Sequence, residues 1–129
     1  MATCAVRKSR TRLSVGTFPV TTFWEGGAVL KIDVDHRRPL PVEELVRRAA
    51  RANRRIISLA QWRSPSGRGW HMLIEVEPPP MSAIETVALQ LVFGSDPRRE
   101  AYNVNRALQV DAETVSPYWR DRWNVLYGK

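Results

Sequence analysis

Two aspartates and a histidine are the residues of this chain whose types and spacing could do chemistry. Asp33 and Asp35 stand in the run K-I-D-V-D, and His71 begins the run H-M-L-I-E-V-E. Both runs alternate between apolar and polar residues, which is typical of a half-buried β-strand. Residues two apart on a strand share one face, so the two carboxylates are expected about 7 Å apart on the side away from the core. Mg²⁺ or Mn²⁺ would use such a pair while also holding a triphosphate.

The turn before His71 is rich in serine and glycine, with one arginine among them. Glycines leave the start of the next strand free of side chains, so a backbone or an anionic ligand can approach closely there. We therefore predict that this turn contacts the phosphate groups of a nucleotide. The residues assigned to this role are Ser64, Ser66, Gly67, Arg68 and Gly69.

Strands and helices predicted from the same patterns must position these residues. Strands are expected at residues 29–35, 56–63 and 70–77, with an amphipathic helix from about residue 42 between the first two. Ser82 begins a capping box before a second helix that ends at Gly94, and Asp96 with Pro97 begins a third helix. Further strands are predicted at residues 18–24, before the others, and at residues 123–127, the run W-N-V-L-Y.

This order predicts an α+β fold with the split β-α-β-β-α-β antiparallel sheet of ferredoxin-like and RNA-recognition-motif domains. The helices should cover one face, and residues 18–24 add an extra N-terminal strand. The first and third core strands are then antiparallel neighbours at the centre of the sheet. Asp33 and Asp35 should therefore lie beside His71 and the glycine-rich turn, on the open face.

Composition bounds the function. The chain has 129 residues, a formal net charge of +7 and one cysteine. We expect a flexible basic arm at residues 1–14 followed by one domain at residues 15–129. No apolar run approaches the ~20 residues of a membrane span, and no apolar signal core follows the basic N-terminus. A single cysteine favours a reducing compartment, so we expect a cytoplasmic protein, and the positive charge favours nucleic acid as partner.

Basic and aromatic residues on two segments are the predicted nucleic-acid contacts. Arg37 and Arg38 follow the aspartates directly, and a third helix presents a polar face suited to phosphate, sugar or base. The spacing of that helix predicts an inward face of Ala101, Val104 and Leu108 and an outward face of Arg99, Tyr102, Asn103 and Arg106.

Taken together, these residues resemble the catalytic core of archaeo-eukaryotic primases and primase-polymerases, a group that includes the polymerase domains of bacterial end-joining ligases. K-I-D-V-D at residues 31–35 is similar to the first motif of that family, and S-P-S-G-R-G-W-H at residues 64–71 is similar to the second. The resemblance implies that Asp33 and Asp35 bind the metals and that His71 contacts the phosphates of the incoming nucleotide. G-S-D-P-R-R-E-A-Y-N-V-N-R-A-L at residues 94–108 is similar to a segment of phage and plasmid members.

The resemblance implies a minimal or degenerate member, of a phage, plasmid or other mobile element, with metal-dependent nucleotidyl transfer in DNA replication or repair. The family has a third metal-binding acid on a late strand. Asp111 in L-Q-V-D is the first candidate for it and Glu75 the second.

Three other functions fit parts of the sequence. The first is a ferredoxin-like module that binds single-stranded DNA or RNA without chemistry. The second is an HUH-type replication nuclease with Tyr102 as nucleophile, although Gly69 stands where its first histidine would be. The third is a structural subunit that binds a partner through its tryptophan-rich tail. Nucleotidyl transfer and non-catalytic binding both remain open at this point.

Overall fold

The computed structural model describes residues 7–8, 29–120, 122–124 and 126. The strand predicted at residues 18–24 lies outside the described residues, as does the predicted basic arm except for two of its residues. The elements, in chain order, are β1 (Arg7–Lys8), β2 (Val29–Asp35), α1 (Val42–Arg51), β3 (Arg55–Arg63), β4 (Gly69–Glu77), α2 (Ala83–Val92), α3 (Pro97–Asp111) and α4 (Pro117–Arg120).

The sheet has three antiparallel strands in the order β3-β4-β2, and the two-residue β1 runs parallel to β3 at the outer edge. The α+β prediction is confirmed, and so is the antiparallel pairing of the first and third core strands, but β2 lies at the edge of the sheet and not at its centre. In that pairing Asp33 lies opposite His71, and Asp35 lies opposite Gly69. Because side chains alternate along a strand, this register places Asp33, Asp35 and His71 on one face of the sheet.

The main core lies on the other face, under α1 and α2. Leu30, Ile32 and Val34 of β2 are buried there, as the alternation predicts. They pack with buried residues of β4, with Leu45 of α1 and with Phe93 at the end of α2. Apolar burial contributes about 25 cal/mol per Å², so this face fixes the register of β2 and β4. Among the described residues, no helix is both long and apolar enough to cross a membrane.

The predicted open face is partly covered. Ala60, Trp62 and Leu73 form a second buried cluster there with Leu126 from the C-terminal segment. The described residues of the predicted final strand are not in a strand, because residues 122–124 form a turn and bend and residue 126 is irregular. The C-terminal segment therefore covers the sheet with Leu126.

The free edge of β2 is bonded to α2, α3 and the loop that joins them. In the full split arrangement a fourth strand would pair along this edge. Here side chains and one backbone N–H satisfy the β2 backbone groups at residues 31 and 33. The four bonds are Lys31 N–H to Gln90 Oε1 (2.9 Å), Arg99 Nη1 to Lys31 O (3.0 Å), Asp33 N–H to Ser95 Oγ (3.1 Å) and Asp96 N–H to Asp33 O (2.6 Å).

Both predicted helix caps are present. Ser82 Oγ accepts the backbone N–H of Glu85 at 3.1 Å at the start of α2. The carboxylate of Asp96 accepts the N–H of Arg98 at 3.1 Å at the start of α3. A capping side chain satisfies one of the N–H groups that have no partner within the helix, so these bonds fix where α2 and α3 begin. The second cap places the start of α3 beside β2.

The predicted inward face of α3 is wrong at two of its three positions, whereas Val104 is partly buried against the cluster of Ala83, Val87 and Ala107. The buried residues of α3 are Glu100, Asn103 and Ala107, whereas Ala101 and Leu108 are exposed. Glu100 and Asn103 are buried because their side chains bond to one another and to polar groups of other segments. These hydrogen bonds offset the free-energy cost of removing the polar side chains from water. Polar residues can therefore be buried on this face of α3.

Gly69 is the position of β4 where we expect an added side chain to lower stability most. A Cβ built there would lie 2.3 Å from the backbone oxygen of Val34, closer than any packed carbon can stand. Gly67 has a φ of +77° but nothing within 4 Å of a Cβ. Overpacking costs about 1–3 kcal/mol or more and left-handed backbone costs about 1–2 kcal/mol, so Gly69→Ala should reduce stability more than Gly67→Ala. Urea denaturation of both variants tests this, and equal losses would contradict it.

Candidate functional site

A cleft of about 690 Å³ opens where β2 ends and β4 begins. One wall is the end of β2, and the β3–β4 turn and the start of β4 form the floor. The first three turns of α3 form the opposite wall. The cleft exists because Asp96, the cap of α3, bonds to the backbone of β2 and brings α3 alongside that strand.

Asp33 and His71 face each other across the β2–β4 pair. His71 Nε2 lies 3.6 Å from Asp33 Oδ1, and the His71 side chain is 3% exposed. Its ring stands edge-on to Trp62, its opposite neighbour on β3, at a centroid distance of 5.8 Å. His71 Nδ1 has no hydrogen-bond partner among the described residues. A buried polar atom left unpaired costs about 1–3 kcal/mol, which is how a group kept for a ligand looks in the free protein.

Burial sets the charge states of this pair. Burial and, to a smaller extent, the charge of Arg99 together lower the pKa of His71 to about 4. His71 is therefore neutral near pH 7. Burial also raises the pKa of Asp33, against the opposing effect of Arg99, and the nearby acids Asp96 and Asp35 raise it as well. A carboxylate whose charge is disfavoured in this way gains from a cation placed beside it.

Asp35 lies at the rim and is paired with Arg98 and His36. Its Oδ2 is 3.2 Å from Arg98 Nη2, and its Oδ1 is 3.4 Å from His36 Nε2. Arg98 is exposed, so this pair is weakly held and open to exchange with a ligand. The backbone N–H of His36 donates to Arg68 O at 2.9 Å and fixes the end of β2 against the β3–β4 turn.

The β3–β4 turn is ordered by its two serines. Ser64 Oγ accepts the N–H of Gly69 at 3.2 Å and lies 3.1 Å from Ser66 Oγ. Ser66 Oγ also accepts the N–H of Arg68 at 3.3 Å. These bonds hold a short loop with hydroxyl groups and an exposed arginine at the cleft, a composition suited to an anion.

α3 supplies the cationic wall. Arg99 is 10% exposed and donates to Lys31 O and, at 2.9 Å, to Asn124 Oδ1. Tyr102 is 74% exposed, and the Arg106 guanidinium stacks on the Trp119 ring at 4.0 Å. The cleft has four arginines, at 68, 98, 99 and 106, against three aspartates, at 33, 35 and 96. It can therefore take an anion beside a pair of carboxylates.

The structure brings ten of the predicted site residues to this one cleft. They are Asp33, Asp35, Ser64, Ser66, Arg68, Gly69, His71, Arg99, Tyr102 and Arg106. Four others do not line it: Gly67, Arg37, Arg38 and Asp111. Gly67 belongs to the same turn, Arg37 donates to Gly94 O at 3.2 Å, and Arg38 lines a separate pocket with Trp70.

Asp111 is engaged elsewhere, at the start of α2. Its two carboxylate oxygens accept the N–H groups of Ala83 at 2.8 Å and Ile84 at 3.0 Å. The end of α2 that lies near β2 is the other one, about 15 Å away for a helix of this length. Glu75, the second candidate for a third acid, accepts from Ser58 Oγ at 2.9 Å and does not line the cleft. Neither acid stands with Asp33 and Asp35.

Three residues of the cleft were not predicted from the sequence: His36, Asp96 and Arg98. Asp96 was interpreted as a helix cap, which it is, and the cap itself brings its carboxylate to β2. The run G-S-D-P-R-R contains both Asp96 and Arg98, so the position of this run at the start of a helix was the available signal.

Asp33 and Asp35, the two predicted metal ligands, lie on one face of β2 with no third acid of the predicted set beside them. Within residues 7–8, 29–120, 122–124 and 126, no group of three or more His, Cys, Asp or Glu side chains could hold a metal ion. Mg²⁺ commonly takes one or two carboxylates and completes its six ligands with water and substrate phosphates. The pair Asp33 and Asp35, with the raised pKa of Asp33, fits a cation of that kind.

The charge state of His71 predicts how stability depends on pH. Its pKa in the folded chain, about 4, lies below the ordinary 6.5, so the unfolded chain takes up the proton first on acidification. Stability should therefore fall between pH 6.5 and 4, by up to about 3 kcal/mol from this group. Urea denaturation of the wild type and His71→Gln at pH 7 and 4.5 tests this. The variant should lose less stability than the wild type, with His36→Gln as the exposed control, and parallel losses would refute the assignment.

Comparison with known proteins identifies no family for this chain. No protein-family model, curated protein or solved structure matches it. The function is therefore argued from the residues of the cleft.

Proposed function

We propose that the cleft binds a nucleoside triphosphate together with a divalent cation, and that the protein carries out nucleotidyl transfer on nucleic acid as a minimal primase-polymerase-like core. One observation carries the proposal. Asp33 and His71 face each other at 3.6 Å in a cleft that also holds the serine-glycine turn and the arginines of α3. Carboxylates, a neutral histidine and several arginines in one cleft are the groups that a metal-triphosphate needs.

Asp33 and Asp35 would hold the cation, Mg²⁺ or Mn²⁺. When bound, such a cation neutralises the phosphate charge and polarises the phosphorus centre for attack. Asp33 is suited to this role because burial and neighbouring acids disfavour its charge in the free protein. Asp35 would exchange its exposed partner Arg98 for the cation, which frees that arginine for a phosphate.

The remaining cleft residues bind and orient the triphosphate. Arg68 and Arg98 are exposed at the cleft and supply cationic groups, and Ser64 and Ser66 supply hydroxyls. His71 lies beside Asp33 in the cleft as a neutral side chain, so it adds no charge next to the carboxylate. Arg99 is held by Lys31 O and Asn124, so its charge stays in place as the ligand enters. A preorganised cation of this kind stabilises developing phosphate charge without reorganising.

The architecture supports the same proposal. The order β2-α1-β3-β4-α2, with β2 beside β4, is that of the first five elements of a ferredoxin-like split sheet. We propose that arrangement as the ancestry of this domain, with the fourth strand replaced at the β2 edge by bonds from α2 and α3. The net charge of +7 suits a nucleic-acid substrate, and one cysteine suits the reducing cytoplasm.

A second function has its own observation in its favour. Asp35 pairs with Arg98 and Asp33 lies in the field of Arg99, so both carboxylates could act as counterions that hold arginines in place. The cleft would then bind the backbone of single-stranded DNA or RNA without chemistry. This function needs no divalent cation.

Isothermal calorimetry with Mn²⁺ and a non-hydrolysable nucleoside triphosphate separates the two functions. We expect the wild type to bind the triphosphate in Mn²⁺ but only weakly in EDTA, and Asp33→Asn/Asp35→Asn to bind it weakly in both. Glu43→Gln, an exposed carboxylate of α1, is the matched control and should behave as the wild type. Asp111→Asn should also bind as the wild type when folded, because Asp111 lies outside the cleft.

Two results would reject nucleotidyl transfer. One is triphosphate binding that does not depend on Mn²⁺, and the other is equal binding by the wild type and the double variant. If these proteins still bind single-stranded nucleic acid, the cleft is a non-catalytic binding site. If Mn²⁺-dependent binding is present, incorporation of a labelled nucleotide into a primed template is the next measurement.

A further inference from the structure

Two arginines and two aromatic rings form a stacked surface beside the cleft. Arg106 of α3 lies over the Trp119 ring at 4.0 Å, and Arg122 lies over the Tyr118 ring at 4.8 Å. The two rings meet edge to face, with a centroid distance of 5.0 Å. We call these four residues the α4 ladder, because both rings belong to α4. No role in the cleft accounts for Tyr118, Trp119 or Arg122.

The ladder is exposed where core packing would hide it. Tyr118 is 56% exposed, and Tyr102, one of the cleft residues of α3, is 74% exposed. A soluble domain seldom leaves large aromatic rings in water without a partner to cover them. Trp119 is half-buried, so it anchors α4 while Tyr118 and both arginines stay accessible.

Stacking holds both cations in one orientation before any ligand binds. A guanidinium over an aromatic ring gains about 0.5–1 kcal/mol or more, and Arg122 is also fixed by a 3.0 Å bond from Nη1 to Tyr118 O. Side chains ordered in advance lose less entropy on binding. The ladder is therefore a rigid array of two cations and two rings.

Arg106 joins the ladder to the cleft, because it lines the cleft while its guanidinium stacks on Trp119. Tyr102 lies one helical turn before Arg106 on the same face of α3 and also lines the cleft. The surface that starts at Tyr102 and ends at Arg122 is thus continuous with the cleft.

We propose that the α4 ladder and Tyr102 bind a single strand of nucleic acid, one end of which enters the cleft. The arginines contact phosphates, and Tyr102 and Tyr118 stack on bases. Only unpaired bases offer their faces to side chains, so a single strand fits and a duplex does not. The proposal deepens the proposed function, because it names the surface that holds the strand on which the cleft would act.

The test is fluorescence anisotropy with a labelled oligothymidylate of roughly 12 nucleotides, within the usual site range of about 4–16, in EDTA without nucleotide. Tyr118→Leu and Arg122→Gln should each weaken binding roughly tenfold, since one base stack or phosphate contact is of that size. Tyr118→Phe keeps the ring and should bind as the wild type. Met81→Ala and Arg51→Gln, exposed residues of the β4–α2 loop and of α1, are the controls.

Thermal denaturation distinguishes binding from a structural role of the ladder. If Tyr118→Leu lowers the melting temperature while its affinity equals that of the wild type, the ladder only holds α4 on α3 and the proposal is overturned. Equal losses of affinity for the oligonucleotide in Tyr118→Leu and in the control variants overturn the proposal too. A 5-iodouracil strand should crosslink to residues 102–122, and crosslinks confined to Trp70 and its pocket would place the strand elsewhere.

Failure of this proposal and failure of the proposed function give different results. The strand assay contains neither cation nor triphosphate, whereas the calorimetry contains no nucleic acid. Loss of strand binding in ladder variants with normal Mn²⁺-dependent triphosphate binding supports both proposals. Normal strand binding in the ladder variants rejects the ladder alone, and triphosphate binding unaffected by Asp33→Asn/Asp35→Asn rejects the cation site alone.

Discussion

Glu100→Ala is expected to lower the free energy of unfolding by about 3–5 kcal/mol, because it removes the buried carboxylate that pairs with Arg99 and accepts three further hydrogen bonds. Glu100 is 0% exposed. Its carboxylate accepts from Gln90 Nε2 at 2.9 Å, from Ser95 Oγ at 2.6 Å and from Asn103 Nδ2 at 3.1 Å. It also pairs with Arg99. Urea denaturation at pH 7, followed by circular dichroism, measures the loss.

The same experiment needs two comparisons. Glu100→Gln keeps the volume and one acceptor oxygen but removes the charge, so its loss should lie between those of the wild type and Glu100→Ala. Glu113→Ala removes an exposed carboxylate and should change stability by less than about 0.5 kcal/mol. Because a domain is stable by only about 5–15 kcal/mol, a loss of this size brings Glu100→Ala close to unfolding. A loss below about 1 kcal/mol would show that water replaces the carboxylate and that the network does not carry stability.

The Glu100 network also connects stability to the cleft. Ser95 donates to Glu100 and accepts the Asp33 N–H, and Arg99 contacts both Glu100 and Lys31 O. The same carboxylate therefore holds two of the groups that position Asp33. A partly satisfied buried network is worse than an apolar core, so evolution of this cleft must keep all its members together.

Strands β2, β3 and β4 and the pairing of β2 with β4 could be predicted from sequence. Alternation identifies the buried faces of β2 and β4, and a slip of one residue would move Leu30 and Met72 out of the core. The topology of a split sheet then makes these strands neighbours. These two steps place the Asp33 end of β2 beside the His71 end of β4, whereas the register that sets Asp33 opposite His71 comes from the structure.

The inward face of α3 could not be predicted in the same way. Apolar spacing favours Ala101, Val104 and Leu108, but Glu100 and Asn103 are buried instead. Their partners Gln90, Ser95 and Asn124 come from distant positions. Satisfaction of a buried polar network depends on all these segments at once, and spacing within one helix carries no information about the others.

The prediction of Asp111 as the third metal-binding acid also required knowledge of packing that local sequence does not contain. Asp111 and Asp96 both stand at an end of α3, and both accept backbone N–H groups at the start of a helix. Local sequence identifies Asp96 as the cap of α3, but it does not show that Asp111 caps α2, because Asp111 and Ala83 are 28 residues apart. Only the packing of α3 against β2 decides which one reaches Asp33, and that packing rests on the bond from Asp96 N–H to Asp33 O.

Asp33→Asn is expected to abolish cation-dependent triphosphate binding without loss of stability. Removing even an outer partner of a metal site costs about 10–100-fold in affinity, so loss of a ligand should cost at least about 100-fold. Burial raises the pKa of Asp33, so its charge is disfavoured in the folded chain. The neutral amide removes that charge, and the melting temperature at pH 7 should equal or exceed that of the wild type.

The pH dependence of the stability gained in Asp33→Asn tests whether loss of the carboxylate charge causes it. Because the pKa of Asp33 is higher in the folded chain than the ordinary 3.8, its charge destabilises the fold at neutral pH and does so no longer below pH 3.8. The difference in stability between Asp33→Asn and the wild type should therefore shrink as the pH falls.

Asp35→Asn is the matched control: it loses the pair with Arg98, so we expect weaker triphosphate binding but no gain in stability. A variant Asp33→Asn that is less stable than the wild type at pH 7 would mean that the carboxylate supports the fold, as a counterion of Arg99, and would favour the non-catalytic function. A gain in stability with loss of binding is the trade expected of a residue kept for its ligand.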